Sequence, residues 1–231
     1  MATYINVGSY KINNRRKLGS GTFGTVYKGK HVTKGTEVAA KNVTIDGSQE
    51  SREFVMREVN SLSRVKHHPY LLQLKEHQFI QFQDEDGVEV NELWLFTEFC
   101  PEGNLAAYHK SRDVPFEQKA KLALQCASAL AFLHSLSPPI LHRDIKPGNI
   151  LIKDLQGNLT AKVADFGLSQ DANQTAFSTV GGSPNYMAPE LFGSKPKYGK
   201  EIDVFSLGVL YDIFFKAPPR QDLDEDDCKY Y

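Results

Sequence analysis

Three polar side chains with different chemical abilities stand close together near the middle of the chain. Asp144, Lys146 and Asn149 fall within six residues of one another. Pro147-Gly148 interrupts any helix between them, so we expect their polar ends to project from one tight loop. A carboxylate there can orient a hydroxyl group and accept its proton, and an amide oxygen suits a hard cation. Such a stretch also occurs by chance on ordinary surfaces, so its meaning depends on the motifs around it.

The triplet His142-Arg143-Asp144, with Asn149 five residues after the aspartate, resembles the catalytic loop H-R-D-x-x-x-x-N of the eukaryotic protein kinases. The resemblance implies that Asp144 accepts the proton of the substrate hydroxyl and that Asn149 holds a Mg²⁺ ion. It also implies that Lys146 places its ammonium near the transferred phosphate. Phosphoryl transfer requires such groups because its transition state carries charge on the phosphate oxygens, and catalysis is mostly positioning and electrostatic stabilisation.

The glycine-rich segment Leu18 to Gly29 contains Gly19, Gly21 and Gly24 in the spacing G-x-G-x-x-G. This pattern also occurs in dinucleotide-binding hydride-transfer enzymes, but there it opens a helix. Residues 25–28 are β-branched, aromatic and alternating, which favours a strand. We therefore expect a hairpin whose backbone closes over phosphates, because glycines leave few Cβ atoms in the way. A plain hairpin turn is the alternative.

Lys41 lies in the predicted strand Gly35 to Val43, seventeen residues after Gly24. A strand lysine is usually a solvated edge charge. By alternation, however, Lys41 shares a face with Ala39 and Val43, so its stem should follow the apolar side that faces the glycine-rich segment. The strand resembles the V-A-I-K strand of kinases, whose lysine contacts the α- and β-phosphates.

A predicted helix over residues 51–66 carries a carboxylate on its apolar stripe, at Glu58. A carboxylate on a buried helix face needs a partner, and Lys41 is the obvious one. The resemblance identifies this pair as the ion pair of helix C, which defines the active kinase state. Glu53 is the alternative partner, although it lies off the stripe.

The aromatic and apolar run 93–100 predicts a buried strand. The composition then changes from strand-like to helical at Pro101, which we take as the boundary between two lobes. By resemblance to the kinase hinge, backbone groups at Glu98 and Cys100 would hydrogen-bond the adenine, with Thr97 at the back of that pocket.

Asp165-Phe166-Gly167 follows Asp144 by twenty-one residues. The triplet means little alone, but in this place it resembles the D-F-G motif, whose aspartate binds the Mg²⁺ that bridges the phosphates. The resemblance thus assigns Asp144 as the base and Asp165 to the metal. A lysine from the front of the chain and two aspartates from its middle would then meet around one Mg·ATP.

Taken together, the resemblance implies three groups of site residues. The catalytic group is Asp144, Lys146, Lys41 and Glu58. The metal ligands are Asn149 and Asp165. The ATP-binding group is Leu18, Gly19, Ser20, Gly21, Thr22, Phe23, Gly24, Val26, Ala39, Lys41, Thr97, Glu98, Cys100 and Leu151.

Residues 169–183 are polar and rich in small side chains, which is typical of a mobile segment. The segment contains Thr175, Ser178 and Thr179, and Arg143 beside the catalytic aspartate could clamp a phosphate introduced there. We therefore hypothesise phosphorylation of this activation loop; a merely hydrophilic loop is the alternative.

Three further residues in the second half of the chain also resemble kinase positions. Ser183 together with Lys146 is the pattern of serine/threonine kinases, and Asp203 would brace the backbone of the catalytic loop from helix F. Glu190, in the A-P-E region, pairs in the family with a downstream arginine. Here only Arg220 remains for it, and a buried carboxylate without a partner would cost several kcal/mol.

Composition limits the other functions. The chain has 231 residues, 41% hydrophobic and 24% charged, with a net charge of −1, which suits packed lobes and not a disordered chain. Near neutrality argues against a nucleic-acid binder. Three cysteines favour a reducing compartment, and no signal segment or membrane-spanning run occurs. We expect a soluble cytoplasmic or nuclear protein.

The predicted fold class is α+β, a two-lobed protein kinase fold. It has an N-terminal antiparallel sheet plus helix C over residues 1–100, then a mainly helical C-lobe over 101–231. We expect the two lobes to form one kinase domain, with a C-lobe that lacks its last helices, because the sequence stops soon after the acidic patch 222–227. The predicted function is transfer of the ATP γ-phosphate to Ser/Thr hydroxyls of protein substrates. The alternative is a catalytically impaired module that binds nucleotide or a protein partner.

Overall fold

The computed structural model describes residues 3–21, 24–46, 48–83, 87–171, 182–192 and 198–216. The chain divides into two compact units. The first comprises Met1–His67 and Leu72–Cys100, and the second comprises His68–Leu71 and Pro101–Tyr231.

The first unit is a six-stranded antiparallel sheet with one helix. Its strands are β1 (Tyr4–Val7), β2 (Tyr10–Gly21), β3 (Gly24–His31), β4 (Glu37–Ile45), β5 (Leu74–Gln83) and β6 (Glu89–Glu98), and its helix is α1 (Gln49–Arg64). The strand order is β1-β2-β3-β4-β6-β5. The strand β1 was not expected from the sequence. Its four residues are too few for periodicity to reveal a strand, and its pairing with β2 decides its conformation.

The strand register separates two faces of this sheet. Val26 and Leu95 are the direct partners of Lys41, while Thr97 is the partner of Ala39. Directly opposed residues share a face, so these five side chains lie on one side. The other face is a buried apolar cluster of Val7, Tyr10, Ile12, Val38, Ala40, Trp94 and Phe96. The predicted alternation of Lys41 with Ala39 and Val43 is thereby confirmed.

Helix α1 begins at a typical N-cap. The side chain of Ser48 accepts a hydrogen bond from the Ser51 amide at 3.1 Å, which satisfies one of the free amides of the first turn. Val55, Val59 and Leu62 are buried along one stripe of the helix. The helix thus presents to the protein interior the same stripe that carries Glu58.

The second unit contains three helices and two small antiparallel pairs of strands among the described residues. The helices are α2 (Leu105–Ser111), α3 (Phe116–Ser135) and α4 (Glu201–Lys216), and the strands are β7 (Ile140–Leu141), β8 (Ile150–Leu155), β9 (Asn158–Val163) and β10 (Gln170–Asp171). Strands β8 and β9 pair as an antiparallel hairpin directly after the catalytic loop. Three short 3₁₀ turns occupy Pro147–Asn149, Pro184–Tyr186 and Pro189–Phe192.

The segment expected to be mobile from Ser169 is anchored at its start. Ser169 is fully buried, and its hydroxyl donates to the carbonyl of Phe166 at 2.7 Å. Gln170 and Asp171 then pair with β7. The prediction was wrong for these residues because polarity alone does not reveal a polar side chain whose hydrogen bonds are made inside the fold. Residues 172–181, with Thr175, Ser178 and Thr179, lie outside the described part of the chain.

Across the described ranges, no helix has both the length and the apolar character required to cross a membrane.

Candidate active site

Lys41 and Glu58 form a tight ion pair in the first unit. The Nζ atom of Lys41 lies 2.9 Å from Oε1 and 2.8 Å from Oε2 of Glu58. Both side chains are largely buried, with 17% and 6% of the side-chain surface exposed. Glu53, the alternative partner, instead accepts a hydrogen bond from Gln49 on the exposed side of the helix. The predicted pairing of Lys41 with Glu58 is confirmed.

The glycine-rich segment is a strand pair, as predicted, and not a strand followed by a helix. Gly19 in β2 pairs with Val26 in β3. Gly24 has a φ of +116°, and a Cβ atom at that position would collide with the backbone carbonyl of Asn42. Only glycine fits there without displacing β4. Thr22 and Phe23 lie outside the described residues.

Three residues of the expected adenine pocket lie at the end of β6 or just after it, since the strand ends at Glu98. Thr97, Glu98 and Cys100 are buried. The amide of Glu98 donates to the carbonyl of Gln73 at 3.1 Å, and its carboxylate accepts from the amide of Gln73 at 3.2 Å. Buried Cys100 has a place in the core of this unit that requires no reactive thiol. Leu151, expected to belong to the same group, lies in β8 of the second unit.

The carboxylate of Asp144 is held by two nearby side chains of the catalytic loop and by Ser183, which lies thirty-nine residues further along the chain. Its Oδ2 atom accepts from Asn149 Nδ2 at 2.7 Å and lies 3.0 Å from Lys146 Nζ. Its Oδ1 atom accepts from both the amide and the hydroxyl of Ser183, each at 3.0 Å. Lys146 Nζ also donates to the Ser183 hydroxyl at 2.6 Å, which joins the four side chains in one network.

This network determines the ionisation of Asp144. Burial by itself would raise the pKa of the carboxyl group, but the hydrogen bond and the charge of Lys146 oppose burial, and the hydrogen bonds from Ser183 and Asn149 add to them. The pKa of Asp144 is lowered as the net result. The group is therefore an anion at neutral pH and can orient a hydroxyl group by accepting its hydrogen bond.

The donor set at Asn149 and Asp165 fits Mg²⁺. Asn149 donates through Nδ2 to the carbonyl of Asp144 at 2.8 Å as well as to its carboxylate, which leaves the amide oxygen as the acceptor end of the side chain. The amide of Ala164 donates to the carbonyl of Asn149 at 2.9 Å, so the residue before Asp165 is fastened to the catalytic loop. Carboxylate and amide oxygens are ligands that Mg²⁺ accepts, and it usually takes its remaining ligands from phosphates and water.

Two site residues have backbone conformations that L-amino acids rarely adopt. Arg143 has a φ of +70° and Asp165 a φ of +66°. Each costs of the order of 1–2 kcal/mol relative to the right-handed region, and such strain persists where surrounding contacts determine the conformation. His67 and Gln156 also have a positive φ, so strain alone does not identify a site; at Arg143 and Asp165 it shows that surrounding contacts hold the loop and the D-F-G triplet in one conformation.

Asp203 anchors the catalytic loop from α4, as predicted. The carboxylate is fully buried and accepts from the amides of His142 and Arg143, each at 2.8 Å. His134 Nε2 lies 2.8 Å from the same carboxylate. On the other side of the loop, His142 Nε2 lies 3.0 Å from the carbonyl of Ala164 and must carry the hydrogen, because a carbonyl only accepts.

Gly182 is a residue of the candidate site whose role was not predicted from the sequence. Its φ is +129°, and a Cβ atom there would stand 2.9 Å from the carbonyl of Arg143. The close approach brings the neighbouring Ser183 within reach of Asp144. A glycine directly before this serine was the available signal, but spacing alone could not show which backbone it would approach.

The predicted buried carboxylate at Glu190 was wrong. Glu190 is solvent-exposed in the 3₁₀ turn that contains it, so it pays no desolvation penalty. Arg220, its suggested partner, lies outside the described residues, as does the acidic patch 222–227.

Comparisons with known proteins all find protein kinases. A family model for the protein kinase domain matches residues 12–230. The chain is 38% identical over 208 residues to the serine/threonine-protein kinase ULK3 of Xenopus laevis, covering 87% of this chain and 42% of that protein. Human ULK3 is 36% identical, with 88% and 41% covered. The serine/threonine-protein kinase ATG1b of Arabidopsis thaliana is 32% identical over 207 residues, with 88% and 27% covered. The chain thus spans less than half the length of these relatives.

Proposed function

This chain belongs to the protein kinase family, as a serine/threonine kinase, and we propose that it transfers the γ-phosphate of ATP to serine and threonine hydroxyls of protein substrates. In this reaction the hydroxyl oxygen forms a bond to the γ-phosphorus, the bond between that phosphorus and the bridging oxygen of ADP breaks, and the hydroxyl proton passes to Asp144. The fold class expected from the sequence, a protein kinase domain with an antiparallel N-terminal sheet, is confirmed.

One observation carries the proposal: the buried Asp144 carboxylate is oriented by Lys146, Asn149 and Ser183 together. A carboxylate held from two sides can present one geometry to an incoming hydroxyl, which is the positioning that phosphoryl transfer requires. Lys146 lies beside the same carboxylate, where its ammonium can balance charge that develops on the phosphate.

Two further groups complete the proposed machinery. In the first unit, Lys41 is fixed by Glu58 and would contact the α- and β-phosphates. In the second unit, Asn149 and Asp165 would hold Mg²⁺, which when bound neutralises charge on the phosphate oxygens. We propose that the ATP-binding residues implied by the resemblance contact the nucleotide. The proposed substrates are proteins, and neither a regulatory partner nor a nucleic acid is part of the proposal.

The direct test is a phosphate-transfer assay with γ-labelled ATP, MgCl₂ and histone as a generic acceptor. We expect transfer that yields phosphoserine and phosphothreonine, but no phosphotyrosine, on hydrolysis of the product. Tight ATP binding without any transfer would instead favour the catalytically impaired, nucleotide-binding module.

Lys41→Met should lower kcat/KM for ATP by about 10²–10³-fold, because the ammonium that contacts phosphate is lost while the carboxylate of Glu58 stays buried beside the site. Lys110→Met, at an exposed lysine of α2, is the matched control and should leave kcat/KM unchanged. Steady-state kinetics over a range of ATP concentrations measure both. If the two variants behave alike, Lys41 does not contact the nucleotide.

Lys146→Met should move the acidic limb of the kcat/KM profile to higher pH. The charge and hydrogen bond of Lys146 oppose the effect of burial on the pKa of Asp144, so this pKa is higher in the variant than in the wild type. In the wild type the carboxylate stays ionised until the pH falls below the ordinary carboxyl range. In the variant, activity should therefore begin to fall at a higher pH. Profiles normalised to their maxima, measured from about pH 3.5 to 8 so that the ordinary carboxyl range is covered, would show the shift; parallel acidic limbs would contradict it.

A further inference from the structure

The guanidinium of Arg143 is held by partners from its own chain. Its Nη1 atom donates to Gln170 Oε1 at 2.9 Å and to the carbonyl of Leu168 at 3.5 Å. The guanidinium carbon also lies 5.5 Å from the centre of the Tyr198 ring, at cation–π distance. Arg143 and Gln170 are 8% and 6% exposed, so their hydrogen bond is made away from water, where such contacts are stronger.

Gln170 is fixed independently of this bond. It lies in β10, where it is the direct partner of Leu141 in β7. The residue after Leu141 is His142, so the strand that carries Gln170 is attached to the backbone that leads into the catalytic loop. The side chain of Gln170 then reaches Arg143, two residues beyond Leu141. The catalytic loop is therefore connected to β10 in two ways: by the backbone pairing of β7 with β10, and by the hydrogen bond between Arg143 and Gln170.

The backbone of Arg143 is strained, so the contacts that connect the catalytic loop to β10 affect its conformation. A left-handed φ at a residue with a long side chain persists only where neighbouring contacts determine it. Two of these contacts are the bond from the Arg143 amide to Asp203 and the bond from its guanidinium to Gln170. Release of the guanidinium would let the peptide relax, and Asp144 is the next residue along the chain.

We propose that Gln170 is a positioning residue: its buried amide fixes Arg143 and thereby the orientation of Asp144. Because this role is filled by the chain itself, assembly of the catalytic loop does not depend on phosphorylation of Thr175, Ser178 or Thr179. The proposal rests on the proposed kinase function and adds the way in which its active arrangement is maintained.

The kinetic test compares Gln170→Ala with Gln170→Glu and with Gln125→Ala. Gln125 is a matched control, since it is another buried glutamine of the same unit that bonds to the backbone of Ala161 and Leu159. We expect Gln170→Ala to lower kcat by about 10–100-fold, as small displacements of a catalytic group do. KM for ATP should change little, and Gln170→Glu, which keeps an acceptor for Arg143, should restore kcat.

Gln125→Ala should lower the melting temperature but leave kcat of the folded enzyme within about twofold, because its partners lie outside the loop. A variant with alanine at Thr175, Ser178 and Thr179 should keep kcat close to wild type. Loss of activity in that triple variant, or wild-type kcat in Gln170→Ala, would overturn the inference.

Hydrogen exchange at the amides of His142 and Arg143 tests whether Gln170 holds the catalytic loop, and it requires no activity assay. Exchange should be faster in Gln170→Ala than in the wild type, and Gln170→Glu should restore protection. If the wild type itself transfers no phosphate, the proposed function fails, while exchange still decides whether Gln170 organises the loop. Unchanged exchange in Gln170→Ala would reject the positioning role.

Discussion

Asp144→Asn should lower the rate of phosphate transfer by about 10²–10⁴-fold, the range contributed by a positioned acid or base. The amide retains the size of the carboxylate, and its oxygen can still accept the two hydrogen bonds from Ser183. Its NH₂ group then faces Asn149 Nδ2, which is also a donor, so that contact is lost. The amide cannot, however, accept the substrate proton, and it loses the charge that pairs with Lys146. We therefore expect kcat to fall while the dissociation constant for Mg·ATP changes little.

Asp154→Asn is the matched control for this experiment. Asp154 belongs to the same unit and its carboxylate accepts from the amide of Gly157 at 2.7 Å in an exposed turn. Its neutralisation should leave kcat unchanged. Transfer by Asp144→Asn at more than one tenth of the wild-type rate, with intact ATP binding by calorimetry in both variants, would remove Asp144 from the catalytic role.

Asp203→Ala should lower the free energy of unfolding of the second unit by about 3–5 kcal/mol, as expected when buried donors lose a charged acceptor. The amides of His142 and Arg143 and the ring of His134 would all lose their shared partner. The melting temperature should fall by roughly 10 °C for a chain of this size. Activity should fall as well, because the loop that carries Asp144 loses its anchor.

Glu201→Gln is the matched control, because it removes a charge from α4 without removing a partner of the catalytic loop. Glu201 is exposed in the first turn of the helix, where its carboxylate accepts from the amide of Gly199 at 2.7 Å. Its loss should cost less than about 1 kcal/mol, as for other exposed interactions. Thermal unfolding followed by circular dichroism measures both variants, and an equal shift in the two would show that Asp203 is not a specific anchor.

The sequence predicted correctly the parts of the site that depend on periodicity. Alternation placed Lys41 on the face shared with Ala39, and helical spacing selected Glu58 over Glu53, because a strand and a helix each present side chains in a fixed repeat. The strand after Gly24 followed from β-branched residues in the same way. The roles of these residues in binding ATP and Mg²⁺ stay predictions.

Long-range contacts were not predictable in this manner. Ser183 bonds to Asp144 across thirty-nine residues, and Gln170 bonds to Arg143 across twenty-seven. Local pattern does not encode such partners, because they meet only when separate elements pack. For the same reason polarity suggested a mobile segment at Ser169, which is buried, and the resemblance suggested a buried carboxylate at Glu190, which is exposed.

The order of motifs along the chain by itself determined the family, the types of side chain available for chemistry and the elements that carry them. Tertiary structure alone decided how those side chains are held: the ionisation of Asp144, the strained backbone of Arg143 and the bonds that maintain both. The physical reason is that a residue type sets which bonds a group can make, whereas burial and the approach of distant donors set which of these bonds it does make and how strong they are.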